Sequence, residues 1–168
     1  MADPPYALPG FESELISELD RHVADLPDGA ARLRMSRVPG HPEWAEPYFE
    51  VAPTNPRAAP FKGVLVANDL SLTIGIASLR EFVGFARGGT IIKGASWQEE
   101  FGWIWLATVR GGFTENLYRN SQGKVIGWAT KLSVNGKDLI IRNGRRSEGL
   151  FRPKKVERIN YEPYIMTR

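Results

Sequence analysis

A chain of 168 residues and 18.8 kDa, 42% hydrophobic and 24% charged, has the size and balance of one globular domain with a sizeable core, which argues against a disordered polymer. It contains no cysteine, which excludes disulfide staples, thiolate zinc sites and a cysteine nucleophile. No window reaches the apolar length of a membrane span, Met1-Ala2-Asp3-Pro4-Pro5 does not resemble a leader, and the reading is a soluble cytoplasmic protein or part of a particle assembled in the cytoplasm.

The net charge of +3 is unevenly spread. Residues 1–50 carry ten acids against four bases, and residues 116–158 carry eleven bases against three acids. An acidic start and a basic end can face each other within the fold, attract copies of the chain head to tail, or offer a basic surface to an acidic partner.

After an N-terminal arm over residues 1–9, Phe11, Leu15, Leu19, Val23 and Leu26 recur at four- and three-residue spacing and predict an amphipathic helix. Its acids crowd the first half, where they complement the positive end of the helix dipole, and Pro27-Asp28-Gly29 stops it. Its apolar stripe is expected to lie against a sheet. Residues 36–60 are punctuated by Pro39, Pro42, Pro47, Pro53, Pro56 and Pro60 and read as ordered loop, with an edge strand at 48–52 as the one tolerated exception because proline has no amide to donate. Gly63–Ala67 and the alternating Leu70, Leu72 and Ile74 read as strands joined at Asn68-Asp69.

Residues 78–86 keep helical spacing at Leu79, Phe82, Val83 and Ala86 and favour one short additional helix, although their β-branched and aromatic content also suits a strand. Thr90–Lys93 reads as a strand, and Trp103–Arg110 as the most apolar strand of the chain. Phe113–Arg119 and Lys124–Ser133 follow, separated by Asn120-Ser121-Gln122-Gly123. Asn135-Gly136 between Leu132-Ser133-Val134 and Leu139-Ile140-Ile141 is the signature of a type I′ hairpin, since both residues tolerate positive φ. The basic C-terminal segment 142–168 carries Val156, Ile159, Tyr161, Tyr164 and Ile165, which suit a last docked strand. The fold expected is α+β: the N-terminal helix on a strongly curved, mostly antiparallel sheet approaching a barrel.

Chemical motifs are scarce. His22 lies on the rim of the first helix and His41 in a proline turn, neither with a companion at metal-ligand spacing, so both read as boundary or loop residues. There is no Gly-x-Ser-x-Gly elbow, and Gly84–Gly89 lacks both the dinucleotide and the P-loop spacing, so no cofactor is expected. Carboxylates meet large aromatics at Trp97, Glu99, Glu100, Phe101, Trp103 and Trp105, a mixture suited to a sugar or another small molecule. Neighbouring residues on a strand point to opposite faces, so Glu99 and Glu100 would not face one substrate together, and one of them would need a distant partner such as Glu115 or Glu50. An apolar pocket would be lined by Trp97, Trp103, Trp105, Phe113 and Trp128, with Glu99, Glu100 or Glu115 as acid or base.

The shortage of reactive groups and the wealth of aromatics favour a non-catalytic chain that works through a surface and binds another protein or copies of itself. The settings this suits are a bacterial or phage assembly component, or a toxin-neutralising partner. Contact candidates by residue type are Trp44, Tyr48, Arg145, Arg146 and Tyr164. The basic run of residues 142–158, with Phe151 interspersed, also admits nucleic acid as a weaker alternative.

Overall fold

The computed structural model describes residues 11–41, 44–66, 69–75, 94–143 and 155–165. Helix α1 spans Phe11–Ala24, with Glu12 and Glu14 in its first turn and Arg21 and His22 in its last, so charge at both ends opposes the dipole. Phe11, Leu15 and Leu19 are its buried stripe, as the spacing predicts. The chain leaves through Gly29 at φ 77°, the left-handed region that favours glycine, and the Ala30 amide donates to Pro27.

From there the structure departs from the expected proline loop. β1 (Ala31–His41) and β2 (Trp44–Pro53) form a long antiparallel pair, from Ala31 opposite Pro53 to Pro39 opposite Ala45, with a register shift before His41 opposite Trp44. With β3 (Phe61–Val66) and β4 (Asp69–Ile74) they make a sheet in the order β1-β2-β3-β4. The prolines are tolerated for a local reason. β1 is an edge strand, and β2 is flanked on both sides only from Tyr48 to Val51, so Pro47 and Pro53 stand outside the stretch where every amide is needed. The strand expected at 48–52 is therefore present, but as a central strand over the residues between the prolines. β3 and β4 follow the sequence reading closely, with Val66 opposite Asp69.

The largest correction concerns residues 97–109. They form helix α2 (Trp97–Val109), where the sequence reading places a strand from Trp103 to Arg110. The signal for a helix lies upstream, in Ser96-Trp97-Gln98-Glu99. The Glu99 amide donates to the Ser96 hydroxyl, and the Ser96 amide donates at 2.7 Å to the Glu99 carboxylate, closing a capping box. Phe101, Ile104, Trp105 and Thr108 then recur at helical spacing, and all are buried. At the other end Gly111 adopts φ 72°, its amide donating to Thr108 while the Gly112 amide donates to Ala107, the paired bonds of a Schellman stop.

The remaining strands are β5 (Phe113–Arg119), β6 (Val125–Val134), β7 (Lys137–Asn143) and β8 (Lys155–Asn160), in the order β7-β6-β5-β8 and antiparallel throughout. Asn135 and Gly136, at φ 49° and 76°, close the β6–β7 hairpin as their sequence requires. The architecture is thus α+β with two open antiparallel sheets, rather than one curved sheet closing into a barrel. One buried cluster draws on α1, α2 and both sheets; α1 contacts α2 through Phe11 against Trp97, with ring centroids 5.2 Å apart, and α2 lies against β6. The short helix expected at 78–86, the strand at 90–93 and the N-terminal arm lie outside the described residues.

The expected last strand is present as β8, and the residues after it tie the two sheets together. Glu162 forms a parallel bridge with Ala58, its carboxylate takes the Arg57 guanidinium at 3.1 Å, and the Asn55 amide donates to the Pro163 carbonyl at 2.9 Å.

Gly112 marks the tightest joint between helix and sheet. A Cβ there would overlap the Ser133 carbonyl oxygen, which is fixed backbone. Gly112→Ala is expected to cost about 1–3 kcal/mol through overpacking, whereas Lys124→Ala, at an exposed position, should stay within about 0.5 kcal/mol. Urea unfolding of the two variants checks the contrast.

Candidate functional site

The aromatic residues expected to line a pocket fill the core instead or stand apart from one another. Trp105 is 2% exposed and Phe113 fully buried. The Trp105 ring meets Phe61 edge-on at 5.3 Å, and Phe61 meets Phe101 at 5.5 Å. Trp97 is half-buried at the start of α2 between Phe11 and Phe101, Trp103 is half-buried on the same helix, and Trp128 is half-buried opposite Leu117 on β6. The carboxylates do not converge either. The hydrogen bonds from Ser96 hold the exposed Glu99 below the usual carboxylate range, the reverse of what a general acid needs. Glu100 is fully buried, Glu50 pairs with Lys62 at 3.0 Å, and the fully buried Glu115 accepts the Tyr161 hydroxyl at 2.6 Å.

Of the contact candidates, Tyr164 is buried. It is 3% exposed and donates its hydroxyl to the Ala59 carbonyl at 2.8 Å, with burial pushing the pKa of that hydroxyl upward, so it belongs to the clasp between the sheets. Tyr48 is half-buried in the middle of β2, and Trp44 pairs with His41 at the end of the β1–β2 pair. Arg145 and Arg146 lie outside the described residues.

A surface that the sequence reading missed is the outer face of the second sheet. On β5 the alternate residues Phe113, Glu115 and Leu117 are buried, which turns Thr114, Asn116 and Tyr118 to the other side. Register carries that side across the sheet: Tyr118 stands opposite Val156, Asn116 opposite Arg158, Thr114 opposite both Asn160 and Lys131, and Lys131 opposite Ile140. Val156 is 54% and Ile140 53% exposed, among the most exposed large apolar residues described. They stand on opposite edge strands, and between them run a half-buried tyrosine, two cations and a polar ladder in which Thr114 and Arg158 both donate to the Asn160 side chain. Lys131 pairs with Asp138 at 2.7 Å. Among the described residues no carboxylate pairs with Arg158. The alternation of Val156, Arg158 and Asn160 is visible in the sequence, but which side faces out depends on where α2 lies.

A second feature is a cleft of about 270 Å³ between α1 and the start of α2, lined by Ser13, Glu14, Ser17, Glu18, Trp97 and Gln98. One turn along from Glu18, His22 is buried with its ring stacked on Trp105 at 5.7 Å and tilted against Phe101 at 5.8 Å. Its Nε2 lies 3.3 Å from an Arg21 guanidinium nitrogen and 3.7 Å from a Glu18 carboxylate oxygen. Arg21 in turn is held by Glu18.

No family model, no curated protein and no solved structure matches this chain. Among the described residues no group of His, Asp and Glu is arranged to hold a metal ion, and no helix is long and apolar enough to cross a membrane.

Burial, and secondarily the Arg21 charge, lower the pKa of His22 below its ordinary value of 6.5, with Glu18 and Asp25 opposing. A histidine depressed in the folded state contributes nothing to the pH dependence while both states are neutral. As pH falls through 6.5 the unfolded chain binds the proton first and stability declines, levelling only below the folded-state pKa. The melting temperature is therefore expected to be flat above about pH 7 and to fall toward pH 5, with a slope from this residue of at most about 1.4 kcal/mol per pH unit. His22→Gln should flatten that segment; an unchanged profile would remove the assignment. The bound carboxylates Glu18, Asp138 and Glu162, also depressed, lose their contribution only at more acid pH.

Proposed function

We propose that this chain is a non-catalytic binding protein that docks a protein partner on the outer face of its second sheet. The observation that supports the reading most is the pairing of two half-exposed β-branched side chains, Val156 and Ile140, with Tyr118 and the Arg158 cation on one open four-stranded face. Exposed apolar side chains flanking a tyrosine and an uncompensated guanidinium give a contact its desolvated centre and its charged selectivity together. Four strands at about 4.8 Å spacing present that face as a rigid platform about 14 Å across, so little ordering free energy is lost on binding. The preferred partner presents apolar groups within an acidic rim. An assembly subunit or a toxin-neutralising partner would each work in this way.

Chemical cross-linking and affinity capture from nuclease-treated extract of the source cells, with the double variant Val156→Asp/Ile140→Asp as comparator, test the reading. Both positions are exposed edge-strand sites, so folding stability should change by no more than about 0.5 kcal/mol at each. Capture of a protein by the wild type with at least about tenfold loss in the variant is the expected result. Equal capture by a variant of unchanged melting temperature would overturn it.

A further inference from the structure

We infer that the partner accommodated by this face is a second copy of the same chain, which presents its α1–α2 cleft, so that copies join head to tail. The inference rests on the docking reading above and adds the identity of the partner. Charge complementarity carries it. Helix α1 holds four acids against one arginine, while the outer face of the second sheet carries Lys131 and Arg158 against Asp138. Most of these charges are already compensated: Glu12 pairs with Arg37 at 2.7 Å, Glu18 with Arg21, and Lys131 with Asp138. The charges among these that remain without an ion pair among the described residues are Asp20; Glu14, exposed at the cleft; and Arg158, exposed on the sheet face.

The chemistry of the cleft fits a guanidinium. Its described walls offer the Glu14 carboxylate, two hydroxyls, an amide oxygen and the indole of Trp97, beside a Glu18 carboxylate already held by Arg21, and no cation stands among the described lining residues. Arg158 spends its Nε hydrogen on Asn160 at 3.2 Å and keeps the terminal nitrogens, the two that bridge a carboxylate, for another molecule. The cleft and the sheet face are different surfaces, so the contact is heterologous. Each copy that uses its face still has a free cleft, and the chain of copies closes into a ring or runs on as a filament. Such a contact is small beside the roughly 800 Å² per partner of a stable complex, so assembly should depend on concentration and weaken with salt.

Sedimentation velocity on the full chain, from about 10 µM to about 1 mM at low salt and again in about 0.5 M NaCl, tests this directly. The expected result is a weight-average mass that climbs past the dimer with concentration and falls back in high salt. Arg158→Glu and Glu14→Arg should each remain monomeric. Mixed in equal amounts they should assemble again, because the native contact and the charge-swapped contact each set a guanidinium against a carboxylate. Arg158→Gln and Glu14→Gln, which change charge least, serve if either reversal fails to fold, and should lower the mass at a given concentration. A wild type monomeric throughout, a variant that assembles like the wild type, or a mixture that does not pair would each overturn the inference. If the wild type is monomeric while a different protein is still captured through Val156 and Ile140, the self-partner is wrong and the docking surface stands; if that capture is insensitive to both residues as well, both fall.

Discussion

The Trp105 indole is the contact on which the rest of this structure turns. It receives the imidazole of His22 from α1 on one side, the ring of Phe61 from the first sheet edge-on, and the ring of Tyr164 from the C-terminal segment at 6.2 Å. One side chain on α2, 2% exposed, therefore touches three elements that are remote in sequence. Two of its neighbours carry polar atoms, and each has a partner: His22 Nε2 lies 3.3 Å from the Arg21 guanidinium, and Tyr164 donates to Ala59. A buried polar group without a partner would cost more than the ring contact contributes, so these hydrogen bonds are part of the packing rather than ornaments to it.

The commitment of aromatics to the centre has a functional consequence. Trp105, Phe101, Phe61 and Phe113 lie inside, the carboxylates that accompany them are capped, paired or buried, and the clasp of Asn55, Arg57, Glu162 and Tyr164 joins the sheets at one corner. Chemistry of the general acid–base kind draws no support from this arrangement. The reading favoured instead is a surface: a sheet whose inner side faces α2 and whose outer side carries Val156, Tyr118, Arg158 and Ile140.

Much of the fold is legible wherever local chemistry decides the outcome. The stripe of α1, the β3–β4 pair, the meander from Phe113 onward and the Asn135-Gly136 turn follow from spacing and from residues that tolerate positive φ. The β1–β2 pair is obscured because a proline argues against a strand only where both neighbours need its amide, and that depends on which strands lie beside it. Helix α2 is obscured because a fully buried helix and a buried strand share the same continuous apolar composition; the arbiter was the Ser96–Glu99 capping box, four residues long and upstream of the run. Misassigning α2 hides the site as well. With a strand at 103–110 the tryptophans alternate toward a pocket, whereas on a helix Trp105 turns to the core, and the position of that helix decides which side of the second sheet is left open. Arg158 was legible as charge, but its neighbours on the face were not.

The outer face of the second sheet depends on α2 being a helix packed against α1 and both sheets, and the most direct measurement is the backbone chemical-shift assignment of residues 96–112 together with proton contacts from the Trp105 indole. Consecutive helical carbon shifts from Trp97 to Val109, with indole contacts to His22, Phe61 and Tyr164, are the predicted result. Extended-strand shifts across Trp103–Val109, or an indole without those three neighbours, would contradict it, and the assignment of an outer face to the second sheet would go with it.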